Sequence, residues 1–278
     1  MIEQLRVVTW NAEGMFVAGS NTRRATPQMA IATIKRLNAD VVFIPEFGNT
    51  DAIEEATLMA LRALGYEIVF FSYGHSWLGS YGAALLSRLP LKSYLIHHFT
   101  NTQRPFIEAT VDDNGTLLRI VGIHLDDRSE ALRLQQVPEV AKVVNQNDSL
   151  PVIVLGDFNA MHASSKFARA VRARPLYYAA RLFPHTQLRG MGSRVSEMGR
   201  GTAITELLKR TDLHDLDGLH RRTISAKQSG LEWMPAWRLA KIDWIFGSKG
   251  IKAVSYKISS DVGSDHRPVI AELDIKRP

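Results

Sequence analysis

The sequence predicts an α/β sandwich built from mixed sheets, and three observations carry that prediction. Short apolar runs of strand length, mostly β-branched or aromatic, recur along the chain: RVVTW, DVVFIP, EIVFF, GAALLS, LRIVGIHL, PVIVLGDF, KIDWIFG and PVIAELDI. Stretches with helical spacing lie between several of them. Asn114-Gly115 separates FIEATV from LLRIVGI, the strongest short signal for a two-residue hairpin, so part of the sheet structure is antiparallel. Hairpins combined with crossover helices favour mixed sheets over a purely parallel one.

The helices follow in chain order. Thr26 to Leu37 places Ile31, Ile34 and Leu37 near one face. Asp51, with Glu54 three residues on, reads as a capping box, and Gly65 closes that helix. Ser129 caps a third helix, with Leu132, Val137 and Val140 facing inward; Pro138 inside it predicts a kink or an early stop. No repeat, low-complexity tract or long linker interrupts the chain, so residues 1–278 are expected to form one domain.

Composition narrows the function classes. Hydrophobic residues at 45% and charged residues at 22% suit a soluble globular protein. The absence of cysteine excludes disulfides, thiolate catalysis and Cys-ligated zinc. No apolar run approaches the roughly 20 residues of a membrane span. The opening MIEQLRVVTWN has no basic and apolar leader, so a cytoplasmic protein is expected. Nothing points to an obligate protein partner. The net charge of +6 favours an acidic partner. Residues 166–222 hold twelve Lys/Arg against five acids, with Phe167, Tyr177, Tyr178 and Phe183 interleaved. Such a segment is either a set of solvated faces or a rim that attracts a polyanion and stacks on it.

The chemistry-bearing residues stand at strand ends. RVVTW runs into Asn11 and Glu13, DVVFIP into Glu46, LRIVGI into His124, and PVIVLG into Asp157 and Asn159. KIDWIFG contains Asp243, and Asp265-His266 precedes the last strand. Residues i and i+2 of an extended chain share a face, which predicts pairing of Asn11 with Glu13 and of Asp157 with Asn159. Scattered burial of so many polar groups would be costly, whereas at one edge they could share a divalent cation. The set is oxygen-rich, thiol-free and has no HExxH helix, which selects Mg²⁺ or Mn²⁺ over zinc, with Glu46 as the central ligand helped by Asp265 or Glu13.

Together TWNAEG, IPEF, GIHL, GDFNA, KIDWIF and GSDHRP, from Asn11 to His266, resemble the endonuclease/exonuclease/phosphatase superfamily of DNase I-like metal-dependent phosphoesterases. GAALLSRLP, Arg133 and Gln136 are also similar to it. The resemblance implies a four-layered α/β sandwich, two packed β-sheets flanked by helices. It implies that Glu46 binds the metal with Asn11, Glu13 and Asp265 in or near its shell. Asp157 would orient or deprotonate the attacking water, Asn159 would contact the phosphate, and Asp243 would hold His266 toward it. His124 would contact the phosphate or protonate the leaving oxygen. Arg104, before PFIEATV, is a further candidate for the phosphate, and Tyr81 for the cleft wall.

Substrate remains open at this level. Abasic-site endonucleases of the superfamily carry Tyr where this chain has His124, and their aromatic-rich loop differs from QSGLEWMPAWRLAKIDW. His-Leu followed by Arg and Gln is more similar to the branch of 5′-tyrosyl-DNA phosphodiesterases, deadenylases and sphingomyelinases. The basic segment tips the expectation toward nucleic acid or another phosphorylated polyanion. The alternative is a small or lipid phosphate ester such as an inositol phosphate or sphingomyelin. GHSWLG is a near miss to a serine-hydrolase motif with the wrong spacing, and Ser76 is expected in a loop. A binding module that had lost catalysis would lack a ligand or a histidine, and none is missing.

Overall fold

The computed structural model describes residues 4–17, 26–49, 53–76, 79–102, 104–146, 149–163, 196–219, 221–224, 240–260 and 263–276, with the side chains of 49, 74–76 and 79–81 excluded. In chain order the elements are β1 (Leu5–Thr9), α1 (Pro27–Leu37), β2 (Val41–Asn49), α2 (Glu55–Ala63), β3 (Glu67–Ser76), β4 (Gly79–Ser87), β5 (Leu91–His98), β6 (Pro105–Asp113), β7 (Thr116–His124), α3 (Glu130–Val144), β8 (Val152–Asp157), α4 (Thr202–Arg210), β9 (His214–Asp215), β10 (Asp243–Gly247), β11 (Ile251–Ile258) and β12 (Val269–Ile275).

They form two six-stranded sheets, ordered β11-β12-β1-β2-β4-β3 and β5-β6-β7-β8-β10-β9. Each sheet has one parallel pair among antiparallel ones: β1 with β2, joined through α1, and β7 with β8, joined through α3. A parallel pair needs a crossover, and a helix supplies it here. The Asn114-Gly115 hairpin forms as predicted, with both residues at positive φ (51° and 88°), the signature of a type I′ turn.

Strand alternation builds the layers. Val7, Val41, Phe43, Ile120, Ile153 and Leu155 point between the sheets. Their neighbours Val8, Val42 and Ile44 point outward to α1 and α2. Val121, Ile123, Val152 and Val154 point outward to α3 and α4. The result is four layers: helices, sheet, sheet, helices. Gly122 lies against the Phe43 ring, and a Cβ there would collide with it, so a glycine lets the two sheets close over that phenylalanine.

Helix ends follow local chemistry. Thr26 Oγ1 accepts the Met29 N–H at 3.3 Å, with Pro27 at the first helical position. Ser129 caps α3 by accepting the Leu132 N–H. Pro138 neither stops nor shortens α3, which runs on to Val144. Proline faces solvent there, and Val137, Val140, Val143 and Val144 bury into the outer core, offsetting the lost backbone bond. The Asp51 part of the expected capping box lies outside the described residues. Glu54 itself occupies the cap of α2 without a side-chain bond, so Glu54 is not the third helical residue. Ser76 is not in a loop: it ends β3, paired with Gly79 of β4. Most of the basic segment, residues 164–195, lies outside the described residues, and its described helical parts are residues 196–200 and α4. No described helix is long and apolar enough to cross a membrane.

Beyond the ladders the chain keeps its pairing for a few residues. Trp10 N–H donates to Phe43 O, Ala12 N–H to Pro45 O, and Leu125 N–H to Asp157 O. The carboxyl ends of both parallel pairs therefore open on one rim, the usual place for a site in a crossover sheet. Gly156, at φ 148°, kinks β8 just before that rim, and a Cβ would collide with the Ile123 carbonyl. Gly156→Ala should cost about 3 kcal/mol, the upper range for overpacking and backbone strain. A urea midpoint that falls at constant m would show it; an unchanged midpoint would mean the kink relaxes freely.

Candidate active site

Strand register sets the first row of groups. His124 ends β7, Asp157 ends β8 and Asp243 begins β10; His124 and Asp243 are the direct cross-strand partners of Asp157. The facing sheet supplies the second row. Asn11 and Glu13 follow β1, Glu46 sits in an irregularity of β2 between Ile44 and Gly48, and Asp265-His266 precede β12.

Asp157 lies at the centre. Its Oδ2 accepts from Asn11 Nδ2 at 3.0 Å. The same oxygen stands 3.6 Å from His124 Nε2 and 3.8 Å from His266 Nε2. Those last separations are too long for hydrogen bonds and leave both imidazoles facing a shared space. His266 Nδ1 faces both Asp243 oxygens at 3.0 and 2.9 Å. The His266 backbone is fixed as well: its N–H donates to Ser264 Oγ, and its carbonyl accepts from Trp10 Nε1.

Both i, i+2 pairs depart from the extended geometry the sequence suggested. Glu13 N–H donates to Asn11 Oδ1, and Asn159 N–H donates to Asp157 Oδ1. These are Asx turns, with Glu13 at φ 48° and Asn159 at φ 49°. Glu46 shares this left-handed backbone, at φ 51°. Asn11 thus presents its amide hydrogens to Asp157 and Glu46 while its oxygen is taken by Glu13. Asn159 Nδ2 donates one hydrogen to Leu125 O.

Two residues, Tyr73 and Arg104, complete the His124 side. Tyr73 on β3, which no motif marks, has its hydroxyl 3.1 Å from His124 Nδ1. Arg104 donates to Leu125 O at 2.8 Å and to Asp127 Oδ1 at 2.7 Å, which puts its guanidinium 3.5 Å from His124 Nε2. Arg133 and Gln136 stand behind, not in, the site: Arg133 donates to Asp126 O, and Gln136 Oε1 accepts the Asp126 N–H. They pin the 125–127 turn that holds Arg104 and Asn159. The Tyr81 backbone pairs with Asn49 on β4, and its side chain lies outside those described.

Charge is distributed unevenly. Burial pushes the Asp157 carboxyl up to about 7, helped by Asp243 and opposed by His266 and Asn11. Burial pushes His124 well below the usual imidazole range, with Arg104 and His266 acting in the same direction. Burial also disfavours charge on His266, but Asp243 and then Asp157 outweigh it and hold it well above that range. His124 is therefore neutral and His266 an imidazolium at neutral pH. Burial raises the Glu46 carboxyl, and the like charge of Asp265 raises it further.

Asp157, Asp243 and His266 each bring one atom within 4.8 Å of the others, the tightest grouping of metal-ligand types among the described residues. His266 Nδ1 is already bound by Asp243, however, so this trio is better suited to orienting an imidazole than to caging an ion. Glu46 and Asp265 fit a cation better. Asp265 places a like charge beside Glu46, which a cation between them would neutralise, and Glu46 keeps 28% side-chain exposure, open to an incoming ion. Glu13 joins them through Oε2, which accepts the Asp265 N–H. The far ends of the same strands hold a groove of about 780 Å³ lined by Thr116, Asn145, Ser248, Lys249 and Lys276, with no comparable acid–base grouping.

A four-layered sandwich with carboxylates, an Asp-His pair and a guanidinium on one rim defines a DNase I-like phosphoesterase architecture. The chain belongs to the Endonuclease/Exonuclease/phosphatase family, which it matches over residues 8–266. Members of that family are metal-dependent hydrolases of phosphoester bonds. Solved structures with the same fold include an endonuclease/exonuclease/phosphatase from Beutenbergia cavernae DSM 12333 (TM-score 0.68, 17% identity, 98% of this chain and 72% of that one). An AP endonuclease from Archaeoglobus fulgidus has TM-score 0.67 at 15% identity, covering 98% and 100% of the two chains. The human Nocturnin catalytic domain with bound sulfate anion has TM-score 0.62 at 17% identity, covering 99% and 96%. At these identities the likeness shows the fold alone. No curated protein matches the sequence.

The repulsion at Glu46 gives a test that needs no substrate. A carboxyl whose folded pKa is raised costs stability once pH exceeds its value in the unfolded chain. Glu46→Gln should therefore raise the melting temperature of chelator-treated protein at pH 7.5. It should also shrink the further rise that Mg²⁺ or Mn²⁺ produces in the wild type. Equal metal-induced shifts in both proteins would remove Glu46 from the cation site.

Proposed function

We propose that this protein is a Mg²⁺- or Mn²⁺-dependent phosphodiester hydrolase acting on nucleic acid by in-line attack of water. The observation that carries the reading is the Asp157 carboxylate, raised to about 7 and set among Asn11, His124 and His266. A carboxylate poised near neutrality is a suitable acceptor for the proton of an attacking water.

Each neighbouring group has a part in that reaction. Asn11 orients Asp157. Asn159 spends one amide hydrogen on Leu125 O and has the second for a phosphate oxygen. His266, held as an imidazolium by Asp243, offers its Nε2–H to a non-bridging oxygen as charge develops. Neutral His124 contacts the phosphoryl group or the leaving oxygen, with Tyr73 fixing its ring. Arg104, clamped by Asp127, adds a fixed positive charge beside it. A divalent cation held by Glu46 and Asp265, with Glu13 and Asn11 close by, would supply Lewis-acid stabilisation of the phosphoryl oxygens. Support for a polyanionic substrate comes from the +7 balance of residues 166–222.

A substrate panel with Mg²⁺ or Mn²⁺ tests the reading: single-stranded, nicked and abasic DNA, a 5′-tyrosyl oligonucleotide, RNA, inositol phosphates, sphingomyelin and bis-nitrophenyl phosphate. Hydrolysis should vanish in EDTA and return with metal. KM for an oligonucleotide should rise steeply with salt while that for bis-nitrophenyl phosphate changes little. Preference for a lipid or inositol ester would replace the nucleic-acid assignment, and full activity in excess chelator would end the metal assignment.

The same assay tests the Asp157 role. Below its pKa Asp157 is protonated and cannot accept a proton, so kcat/KM should fall on the acid side with a midpoint within about one unit of 7. His266→Ala should lower kcat by about 10²–10³ with little change in KM. A flat profile from acid to neutral pH would exclude Asp157 as the base.

A further inference from the structure

Thr223 is fully buried and belongs to none of the motifs above. Its hydroxyl oxygen accepts the backbone N–H of Ile242 at 3.1 Å and of Asp243 at 3.2 Å. Its carbonyl accepts the Arg267 N–H at 2.7 Å, and its own N–H donates to Ala240 O at 2.9 Å. The next residue, Ile224, forms an antiparallel bridge with His266. Thr223 thus grips the backbone of Asp243 and that of Arg267, next to the His266 ring that Asp243 holds, and Ile224 bridges His266 itself.

The sheet topology explains why a side chain is needed there. β9 covers the outer edge of β10 only at Phe246 and Gly247, and Leu216 N–H reaches Ile245 O at 3.3 Å. Toward the rim, where Asp243 must be held still, no strand continues among the described residues. The Thr223 hydroxyl accepts the backbone N–H groups at that end of β10. Its segment is tethered a second time, because Asp215 and Asp217 both bind buried Lys241, two residues before Asp243. Asp217 also accepts from Arg221 at 2.6 Å, which fixes the run leading to Thr223.

We propose that Thr223 is a positioning residue for hydrolysis: its hydroxyl sets the Asp243 backbone, and through it the orientation of the Asp243–His266 pair. This rests on the phosphodiesterase reading for its kinetic consequence but not for its geometric one. A methyl in place of the oxygen would leave two buried N–H groups without that acceptor, and the β10 terminus would move to find others.

The full chain is tested as Thr223→Val, Thr223→Ser and Thr223→Cys on the best substrate of the metal-supplemented panel. Thr223→Val should lower kcat about 10- to 100-fold with KM little changed, the scale of a small misplacement of catalytic groups. Thr223→Ser should restore the wild-type rate. Thr223→Cys, whose sulfur is a weak acceptor, should fall between and serves if the Val variant does not fold. In an Asp243→Asn background the Val substitution should add little, because both act through one ring. Independently of any substrate, the low-field His266 Nδ1–H proton resonance should shift or broaden in the Val or Cys variant and persist in the Ser variant. An unperturbed resonance with wild-type kcat in the Val or Cys variant would overturn the proposal. So would a Ser variant as impaired as Val, or a double mutant showing the full product of the single losses. If the wild type hydrolyses nothing in the panel, the functional reading fails, and the resonance alone decides the role of Thr223.

Discussion

The register of β8 between β7 and β10 is the constraint on which the rest of the site depends. It places His124, Asp157 and Asp243 side by side across one sheet. A slip of one residue would turn every side chain of β8 to the opposite face. That slip is blocked by the core, because Ile153 and Leu155 must enter the sandwich while Val152 and Val154 must meet the helices. The packing of the apolar interior thus sets the alignment of the polar row. The facing sheet is aligned in the same way through Val7, Val41 and Phe43. Asn11, Glu46 and His266 meet the row because the sheets can stack in only one register.

The price of the arrangement is local backbone strain, and its location is informative. Three of the six non-glycine residues at positive φ among those described are Glu13, Glu46 and Asn159. Each such residue costs on the order of 1–3 kcal/mol unless local bonds compensate. Asn11 and Asp157 compensate by accepting the Glu13 and Asn159 N–H groups. Each Asx residue therefore has two tasks, ending a strand in a turn and presenting its remaining polar atoms to the rim. A substitution at Asn11 or Asp157 would loosen the backbone as well as remove a functional group. Kinetic losses at those two positions then overstate what the side chain does in the reaction itself.

Much of this was legible in the sequence, and the exceptions have physical causes. Interior strands such as PVIVLGDF and LRIVGIHL are buried on both faces and read as continuous apolar runs. β5 and β11 are edge strands whose exposed positions break the pattern, so they were not anticipated. The strand-end acids were visible because polar residues following an apolar run stand out. Their pairing is ambiguous in one dimension, where an Asx turn and an extended i, i+2 pair look alike; the turn is what forms at both Asn11 and Asp157. Tyr73 and Thr223 had no local signal. A tyrosine in an aromatic strand and a threonine after two arginines are ordinary until the fold brings them to His124 and Asp243. Pro138 does not end α3 early, because the core packing of Val137, Val140, Val143 and Val144 opposes its helix-breaking tendency.

The position of the site at strand ends follows from the same packing. Along most of each central strand, one face enters the inter-sheet core and the other the helix-facing core. A carboxylate there would be desolvated with no partner. Only past the last apolar layer can side chains from both sheets turn toward one another and remain near solvent. There the buried groups have polar partners, and opposite effects can be applied to adjacent ones. Burial raises Asp157, burial with a neighbouring cation lowers His124, and paired carboxylates raise His266. Three groups within a few ångströms are thereby driven to different protonation states at one pH, as acid–base chemistry on a single substrate requires. Two stacked sheets can do this where one cannot. Asp157 and Asp243 come from one sheet and His266 from the other, so the charge that sustains the imidazolium is assembled only when the sheets pack.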